Sequence, residues 1–279
     1  MSKPYRLSTG GRFVDRAKKV SFTFDGKTVT APEGQTLWQA ARGQGTTIPH
    51  LCHAPDHGEH GLRAQGNCRA CVVEIKGERT LAPSCCRNAT AGMEVQSTSE
   101  RAVKSQKMIL EMLLSDMPDT GYKWNEADAT SQHGELSDWA NRLDVQVRPE
   151  LKALRREQPA TDMSHPAMAV NLDACIQCNR CERACRDLQV NDVIGMAGRG
   201  HNAYPVFDMD DPMGDSSCVA CGECVQACPT GALMPATVTD ENQVGDSADF
   251  DSEVESVCPF CGVGCQISLK VKDNKVKFV

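Results

Sequence analysis

Eight cysteines between Cys175 and Cys228 constrain this chain more than any other feature in it. They form two copies of one run. The first reads Cys175-Ile-Gln-Cys178-Asn-Arg-Cys181-Glu-Arg-Ala-Cys185; the second begins 33 residues after Cys185 and reads Cys218-Val-Ala-Cys221-Gly-Glu-Cys224-Val-Gln-Ala-Cys228, followed by Pro229. Both are C-x2-C-x2-C-x3-C, a spacing that folds three thiolates around one iron–sulfur cube and sends the fourth to a neighbouring cube. The spacing assigns Cys175, Cys178, Cys181 and Cys228 to one [4Fe-4S] cluster, and Cys185, Cys218, Cys221 and Cys224 to a second. Zinc sites or disulfides are the competing reading, but zinc ligands come as separated pairs rather than as four cysteines in one tight run. Electron transfer is the chemistry this implies.

Composition supports that reading. The chain has 279 residues, room for two or more domains, and 16 cysteines that fall in groups with ligand spacing instead of a scattered disulfide framework. Aromatic residues make up 5%, too few for one large apolar core, so bound clusters would contribute much of the folding free energy of small modules. Thiols kept free for iron imply a reducing cytoplasm. The formal net charge is −7. An acidic surface favours protein partners over nucleic acid. No apolar run reaches the ~18 residues that a membrane span needs. The stretch from Met1 to Ser21 carries no apolar core after its basic residues, and Arg12 and Arg16 are not a twin pair, so no export signal is read there.

From the N-terminus, Val20 to Phe24 alternates as a strand, Asp25-Gly26 is a hairpin turn, and Lys27 to Thr30 returns as a second strand before Pro32-Glu-Gly34 breaks the run. Gln35 to Gly43 reads as a short helix with Leu37, Trp38, Ala40 and Ala41 to bury. Cys52 follows in a loop, then Cys68 and Cys71, a strand from Val72 to Ile75, and the adjacent pair Cys85 and Cys86. Strand, turn, strand, helix and cysteine loop is the order of a β-grasp ferredoxin, although the gap from Cys52 to Cys68 exceeds that of plant-type [2Fe-2S] sites. Gly66 lets the backbone approach a cluster. His50, His53, His57 and His60 share this loop; with no second set of ligands spaced with them, they read as a loop covering a cluster, not as a metal site. Residues 99–115 carry Ala102, Val103, Met108, Ile109, Leu110, Met112, Leu113 and Leu114 at helical spacing, and both methionines are read as core. Further helices are expected from Leu136 to Leu143 and from Pro149 to Glu157. Gly195, Gly198 and Gly200, between the two cysteine runs, are read as turns.

Three segments, Ile48-Pro49-His50-Leu51-Cys52, Gly66-Asn67-Cys68-Arg69-Ala70-Cys71-Val72-Val73-Glu74 and Ala82-Pro83-Ser84-Cys85, resemble the N-terminal [2Fe-2S] domain shared by three groups of proteins. These are the large iron–sulfur subunit of respiratory NADH dehydrogenase, NAD-linked [FeFe] hydrogenases and the alpha subunit of NAD-dependent formate dehydrogenases. The resemblance implies Cys52, Cys68, Cys71 and Cys85 as [2Fe-2S] ligands; spacing alone leaves Cys86 as an alternative to Cys85, or as a small buried hydrophobe. Those relatives carry one histidine and three cysteines after the helix at 99–115, holding another cube. Here Ser115-Asp116-Met117-Pro118-Asp119 follows, with no cysteine until Cys175, so that cluster is expected to be missing; His133 and His165 lie in the gap without cysteine companions. Near the end, Val257-Cys258-Pro259-Phe260-Cys261-Gly262-Val263-Gly264-Cys265 precedes an expected hairpin around Lys272 to Lys275. It resembles the opening of molybdenum or tungsten bis-pterin oxidoreductases, most closely formate dehydrogenases. That implies Cys258, Cys261 and Cys265 as ligands of a third [4Fe-4S] cluster if a fourth ligand is supplied from outside this sequence; a three-cysteine zinc site is the alternative.

The expected fold is α+β. It comprises an N-terminal arm over 1–19, a β-grasp [2Fe-2S] ferredoxin domain over 20–98 and a helical connector over 99–163. A bacterial-ferredoxin-like domain with two [4Fe-4S] clusters follows over 164–236, then an acidic linker over 237–256 and the start of a bis-pterin (molybdopterin) oxidoreductase domain over 257–279. The resemblance further implies a cytoplasmic formate dehydrogenase with a molybdenum or tungsten bis-pterin centre in the full subunit. Its partners would be a flavin- and NAD-binding iron–sulfur subunit and a small [2Fe-2S] subunit. No catalytic or substrate residue is read from this stretch. Alternatives are a stand-alone polyferredoxin carrier and the large iron–sulfur subunit of an NADH dehydrogenase. With the histidine-ligated cube missing, iron and acid-labile sulfide analysis of the reconstituted chain should give about ten of each, against roughly fourteen if another cube assembles within it.

Overall fold

The computed structural model describes residues 15–57, 61–117, 134–157, 160–236, 250–259 and 262–279. The first module is a five-stranded sheet. Strand β1 (Asp15–Phe24) and β2 (Lys27–Glu33) are antiparallel, joined at Asp25-Gly26, where both residues take positive φ (46° and 78°), as a tight twisted hairpin requires. Helix α1 (Leu37–Gly43) follows with a capping box: Thr36 accepts from the Gln39 N–H and Gln39 accepts from the Thr36 N–H. Strands β3 (Val72–Ile75), β4 (Ala82–Pro83) and β5 (Glu94–Gln96) complete the order β2-β1-β5-β3-β4, with β5 parallel to β1 and antiparallel to β3. Phe22, Phe24, Leu37, Trp38, Val73, Ile75 and Val95 form its core. The strand boundaries differ from expectation. The arm does not extend to residue 19, because β2 continues through Pro32 and gives Lys19 a partner; β2 lies at the sheet edge, where a proline costs no ladder bond.

Helix α2 (Glu100–Ser115) starts at Ser99, whose hydroxyl accepts from the Ala102 N–H at 3.2 Å. It packs on the sheet through Ala102, Gln106 and Leu110, and buried Gln106 donates to the Val72 carbonyl at 2.8 Å. The expectation that the methionines are core is corrected: Met108 is 45% and Met112 60% exposed. The buried face is the one that carries Glu111, held by Arg148 at 2.7 Å, so a paired charge occupies a place that hydrophobicity alone would give to methionine. Helix α3 (Glu135–Arg142) lays Leu136 and Trp139 against Leu51, Ala70 and Leu110. Helix α4 (Pro149–Lys152) stops five residues short of the expected Glu157, because the Asp116 carboxylate at the end of α2 captures the Arg156 N–H at 3.3 Å and draws the chain out of the helix.

The second module has pseudo-symmetric halves. Strand β6 (Met168–Val170) leads to the first cysteine loop, helix α5 (Arg180–Arg183) and a π-helical turn, Ala184–Leu188. A hairpin of β7 (Ile194–Ala197) and β8 (Tyr204–Phe207) intervenes. The second cysteine loop, helix α6 (Glu223–Ala227) and β9 (Leu233–Pro235) follow, with β9 returning antiparallel to β6. Gly195 lies within β7 and is not a turn: its space is bounded by the Val206 side chain across the hairpin. Gly198 does turn, since a Cβ there would stand 2.5 Å from the Asn202 carbonyl oxygen.

The last module is a three-stranded antiparallel sheet of β10 (Ser252–Val257), β11 (Gln266–Lys272) and β12 (Lys275–Phe278), the final turn using Asp273 and Asn274 at positive φ. The expected acidic linker is corrected over 252–256. Those residues pair with β11, and Glu253 stands opposite Lys270, so the acidic side chains face a basic strand as well as solvent. Residues 237–249 of that stretch lie outside the described residues. Truncating Leu110, fully buried, to alanine should cost about 2–5 kcal/mol in denaturant unfolding, whereas Met112→Ala should stay within about 0.5 kcal/mol; equal losses would mean that α2 buries a different face.

Candidate metal centres

Four thiols converge at the open end of the first module. Cys71 and Cys85 Sγ are 3.2 Å apart, and Cys52 is in hydrogen-bond contact with Cys68 and Cys85. Hydrogen bonding with those thiols holds Cys52 well below the usual thiol range, and contact with Cys85 lowers Cys71. Cys68 and Cys85 are pushed up by the same contacts. The sheet fixes this geometry from several sides. The Ser84 hydroxyl and N–H both donate to the Cys71 carbonyl, at 2.7 and 3.1 Å, and the first N–H groups of α1 reach back to the same loop, Leu37 to the Arg87 carbonyl and Trp38 to that of Ser84. Gly66 takes φ +69°, and a Cβ there would stand 3.1 Å from Cys86 Sγ. Cys86 itself is exposed, 3.7 Å from Cys85 Sγ; the hydrogen-bond contact with Cys85 lowers it to about 7.

The histidines of this loop pack against aromatic rings. His50 and His53 both sit 4.7 Å from Trp38, and His50 lies 5.7 Å from Trp139. Burial lowers His50 and brings His53 down to about 4, which keeps both neutral at ordinary pH. His57 Nε2 lies 2.7 Å from Glu223 on α6, a contact between the two modules. His60 and His133 lie outside the described residues, and His165 is buried, with its Nδ1 accepting from the Ala167 N–H.

In the second module Cys175, Cys178, Cys181 and Cys228 line one enclosed cavity with Leu172, Met196, Pro205 and Leu233. Burial, then the negative charge of neighbouring sulfurs, pushes Cys175 up to about 11 and raises Cys181 further; burial and Cys228 push Cys178 up to about 12. Cys224 is pushed up to about 12 by burial, followed by Cys218, Cys221 and Cys185. Cys175, Cys178, Cys181 and Cys228 thus share one cavity, while Cys218, Cys221 and Cys185 are the sulfurs whose charge acts on Cys224. Both loops use the same backbone. Gln177 and Asn179 in the first, and Ala220 and Gly222 in the second, take positive φ between 55° and 75°, and only one of these four is glycine. The curl aims N–H groups at sulfur: Gln177 at Cys175, Ala220 at Cys218 and, from the neighbouring segment, Val193 at Cys185, each at 3.4 Å. Hydrogen bonds to sulfur favour the more negative redox state of a cluster.

These donor sets fit iron–sulfur clusters. All donors are sulfur; five of the twelve are buried and every one but Cys221 is at least half-buried. Crowded thiols that resist ionisation when metal-free give up their protons to iron and exchange mutual repulsion for a shared cation. The third set is described in part. Cys258 donates its N–H to the Cys265 carbonyl at 2.9 Å, closing the β10–β11 loop, and Cys261 lies outside the described residues.

Sequence spacing did not single out three arginines. Arg180 donates to the Leu51 carbonyl at 3.2 Å and pairs with Glu135 at 2.8 Å. Arg183 donates to the Cys52 carbonyl at 2.6 Å. Arg156 donates to the carbonyls of Cys175, His201 and Ala203. The available signal was a pair of positive charges inside a cysteine run that has to be buried.

Three family models match in the same order as the modules: a 2Fe-2S iron–sulfur cluster binding domain over 17–100, a 4Fe-4S dicluster domain over 174–232 and a molybdopterin oxidoreductase Fe4S4 domain over 251–279. An NADP-reducing hydrogenase subunit of Solidesulfovibrio fructosivorans is 36% identical over 77% of this chain and 36% of its own length. A subunit of an NADH-quinone oxidoreductase from Rhizobium meliloti is 28% identical over 92% of this chain, and a protein assigned as a formate dehydrogenase in Staphylococcus haemolyticus 27% over 91%; each is matched over 28% of its own length. The chain thus spans about a third or less of the curated relatives it matches. A crystal structure of an NAD+-reducing [NiFe]-hydrogenase in the H2-reduced state superposes with a TM-score of 0.65 at 28% identity, covering 81% of this chain and 91% of that one. No helix among the described residues is long and apolar enough to cross a membrane. If the crossed sets are ligand sets, Cys185→Ala should alter the electron paramagnetic resonance signal of the cube built on Cys218, Cys221 and Cys224 and spare the other; loss of only the Cys175 cube would refute the crossing.

Proposed function

We propose that this chain, an iron–sulfur electron-transfer module homologous to subunits of NADH-quinone oxidoreductase and NAD(P)-linked hydrogenase, is the electron-conducting part of a cytoplasmic NAD-dependent formate dehydrogenase alpha subunit. The observation that carries the formate reading is the Cys258–Cys265 loop. It lies within the match to a molybdopterin oxidoreductase Fe4S4 domain and follows the [2Fe-2S] and dicluster modules in one chain. In this reading Cys52, Cys68, Cys71 and Cys85 hold the [2Fe-2S] centre. Cys175, Cys178, Cys181 and Cys228 hold one cube, and Cys185, Cys218, Cys221 and Cys224 the next. Cys258, Cys261 and Cys265 hold a third with a ligand from beyond Val279. A molybdenum or tungsten bis-pterin centre in the remainder of the subunit would oxidise formate, and a flavin- and NAD-binding partner, with a small [2Fe-2S] subunit, would accept the electrons.

The clusters, when bound, supply one-electron carriers in series. The protein's own contribution is visible in its side chains. Leu172, Met196 and Leu233 wall the first cube site with apolar surface, which limits water. The N–H groups at the sulfurs and the buried arginines beside the loops set local charge. His57 against Glu223, and Ala54 and Leu62 against Ala184 and Ala227, join the first module to the second.

The NADH-quinone oxidoreductase relative, matched over nearly the whole chain, supports a second reading as the large iron–sulfur subunit of such an enzyme. The native complex decides between them. Formate-dependent reduction of NAD is expected, and Cys258→Ser should abolish it while NADH-driven dye reduction through the partner subunit persists. NADH-dependent quinone reduction without formate turnover would overturn the formate reading in favour of the second. A native polypeptide of 30.3 kDa with neither activity would favour a stand-alone carrier.

A further inference from the structure

Arg183 is 2% exposed, among the most buried large side chains in the molecule. Its guanidinium reaches out of the second module into the first. Nη2 donates to the Cys52 carbonyl at 2.6 Å and lies 3.5 Å from the Cys178 carbonyl, Nη1 donates to the Arg63 carbonyl, and Nε donates to the Asn179 carbonyl at 3.1 Å. One side chain thus fastens a backbone carbonyl of each of two cysteine loops, reaching back 131 positions along the chain to that of Cys52.

All four acceptors are neutral carbonyls, and that separates Arg183 from its neighbours. Arg180 is neutralised by a two-pronged pair with Glu135, and Arg148 by Glu111. The carboxylate facing Arg183 is Asp187, which is itself engaged by Arg186 at 3.0 Å. Among the described residues, the groups of negative charge that act most on Arg183 are the sulfurs of Cys178 and Cys52, one from each site, while Arg180 opposes them as a like charge. A buried cation without a dedicated carboxylate is costly unless another negative charge stabilises it. An all-thiolate cluster carries such a charge.

We propose that Arg183 is a counter-charge shared by two clusters, the [2Fe-2S] centre on Cys52, Cys68, Cys71 and Cys85 and the cube on Cys175, Cys178, Cys181 and Cys228. It fixes the separation of their loops and makes both easier to reduce. It is a positioning and tuning residue, and no proton moves on it. The inference rests on the ligand reading given above.

Anaerobic redox titration of the reconstituted full chain, followed by electron paramagnetic resonance, tests this. Arg183→Gln removes the charge, and both the [2Fe-2S] centre and the Cys175 cube should become about tenfold harder to reduce, a shift of about 59 mV to lower potential for one electron. The Cys218 cube serves as internal control and should not move. Arg183→Lys keeps the charge while losing the planar fork, and should leave both potentials near wild type. Assembled clusters with unshifted potentials in Arg183→Gln would overturn the proposal. Should that variant fail to assemble, Arg183→Lys decides alone: a tenfold loss at both sites despite the retained charge would also overturn it. A wild-type chain that assembles its cubes but lacks any [2Fe-2S] signal would instead refute the ligand reading beneath the proposal.

Discussion

Four sulfurs held within contact distance of one another set the terms for everything around them. Without iron, burial and the charge that neighbouring thiolates would carry keep such thiols protonated, as the raised Cys175, Cys178 and Cys181 of one set and Cys224 of the other show. With iron the repulsion becomes attraction, and the binding free energy becomes folding free energy. This explains a local architecture that an apolar core could not sustain. Helices α5 and α6 run only four and five residues, far below the length at which a helix persists by itself, and the loops before them hold Gln177, Asn179 and Ala220 in a left-handed conformation that disfavours side chains. The strain is tolerable because the curl aims N–H groups at the sulfurs.

The same requirement for counter-charge draws the modules together. Between the first and second modules the contact is a thin apolar seam of Ala54, Leu62, Ala184 and Ala227, reinforced by arginines that donate to backbone carbonyls. Arg156 adds a third tie, from the connector to the first cube loop, and Asp116 holds the connector in place for it. Such bonds are directional and buried, so they fix relative position more firmly than an apolar patch of the same area. Helix α3 adds Trp139 and Leu136 beside Leu51, next to the loop of Cys52, and Glu135 to hold Arg180.

Much of this was legible in the sequence, for a physical reason. Ligands of one cluster must lie close in space, and short loops bring that about most cheaply, so the cysteine groups announce themselves by spacing. The Asp25-Gly26 hairpin was legible because turn chemistry is local, and the helix after Ser99 because its apolar residues recur at helical spacing. The rest depended on partners without a sequence mark. A backbone carbonyl such as that of Cys52 looks the same at every position, so the reach of Arg183 could not be read. Met108 and Met112 misled because hydropathy cannot tell which face a paired Glu111 will claim. The acid-rich residues before Val257 read as a linker until Lys270 stood opposite Glu253, and α4 ended early because Asp116 competes for its backbone.

The distance between Arg183 and Cys52 along the chain also sets an order of events during synthesis. At about 5–20 residues per second, the 131 residues between them mean that the cover Arg183 places over the Cys52 loop arrives roughly 7 to 26 seconds after that loop has been made. The first module therefore leaves the ribosome with its cysteine loop open on one side, accessible to whatever delivers iron and sulfide. It closes only when the first cysteine run of the second module, which carries Arg183, has been translated and folded back. The latch that fixes the two sites in the mature protein is by its position a late one, and it leaves the nascent chain an interval in which to be loaded.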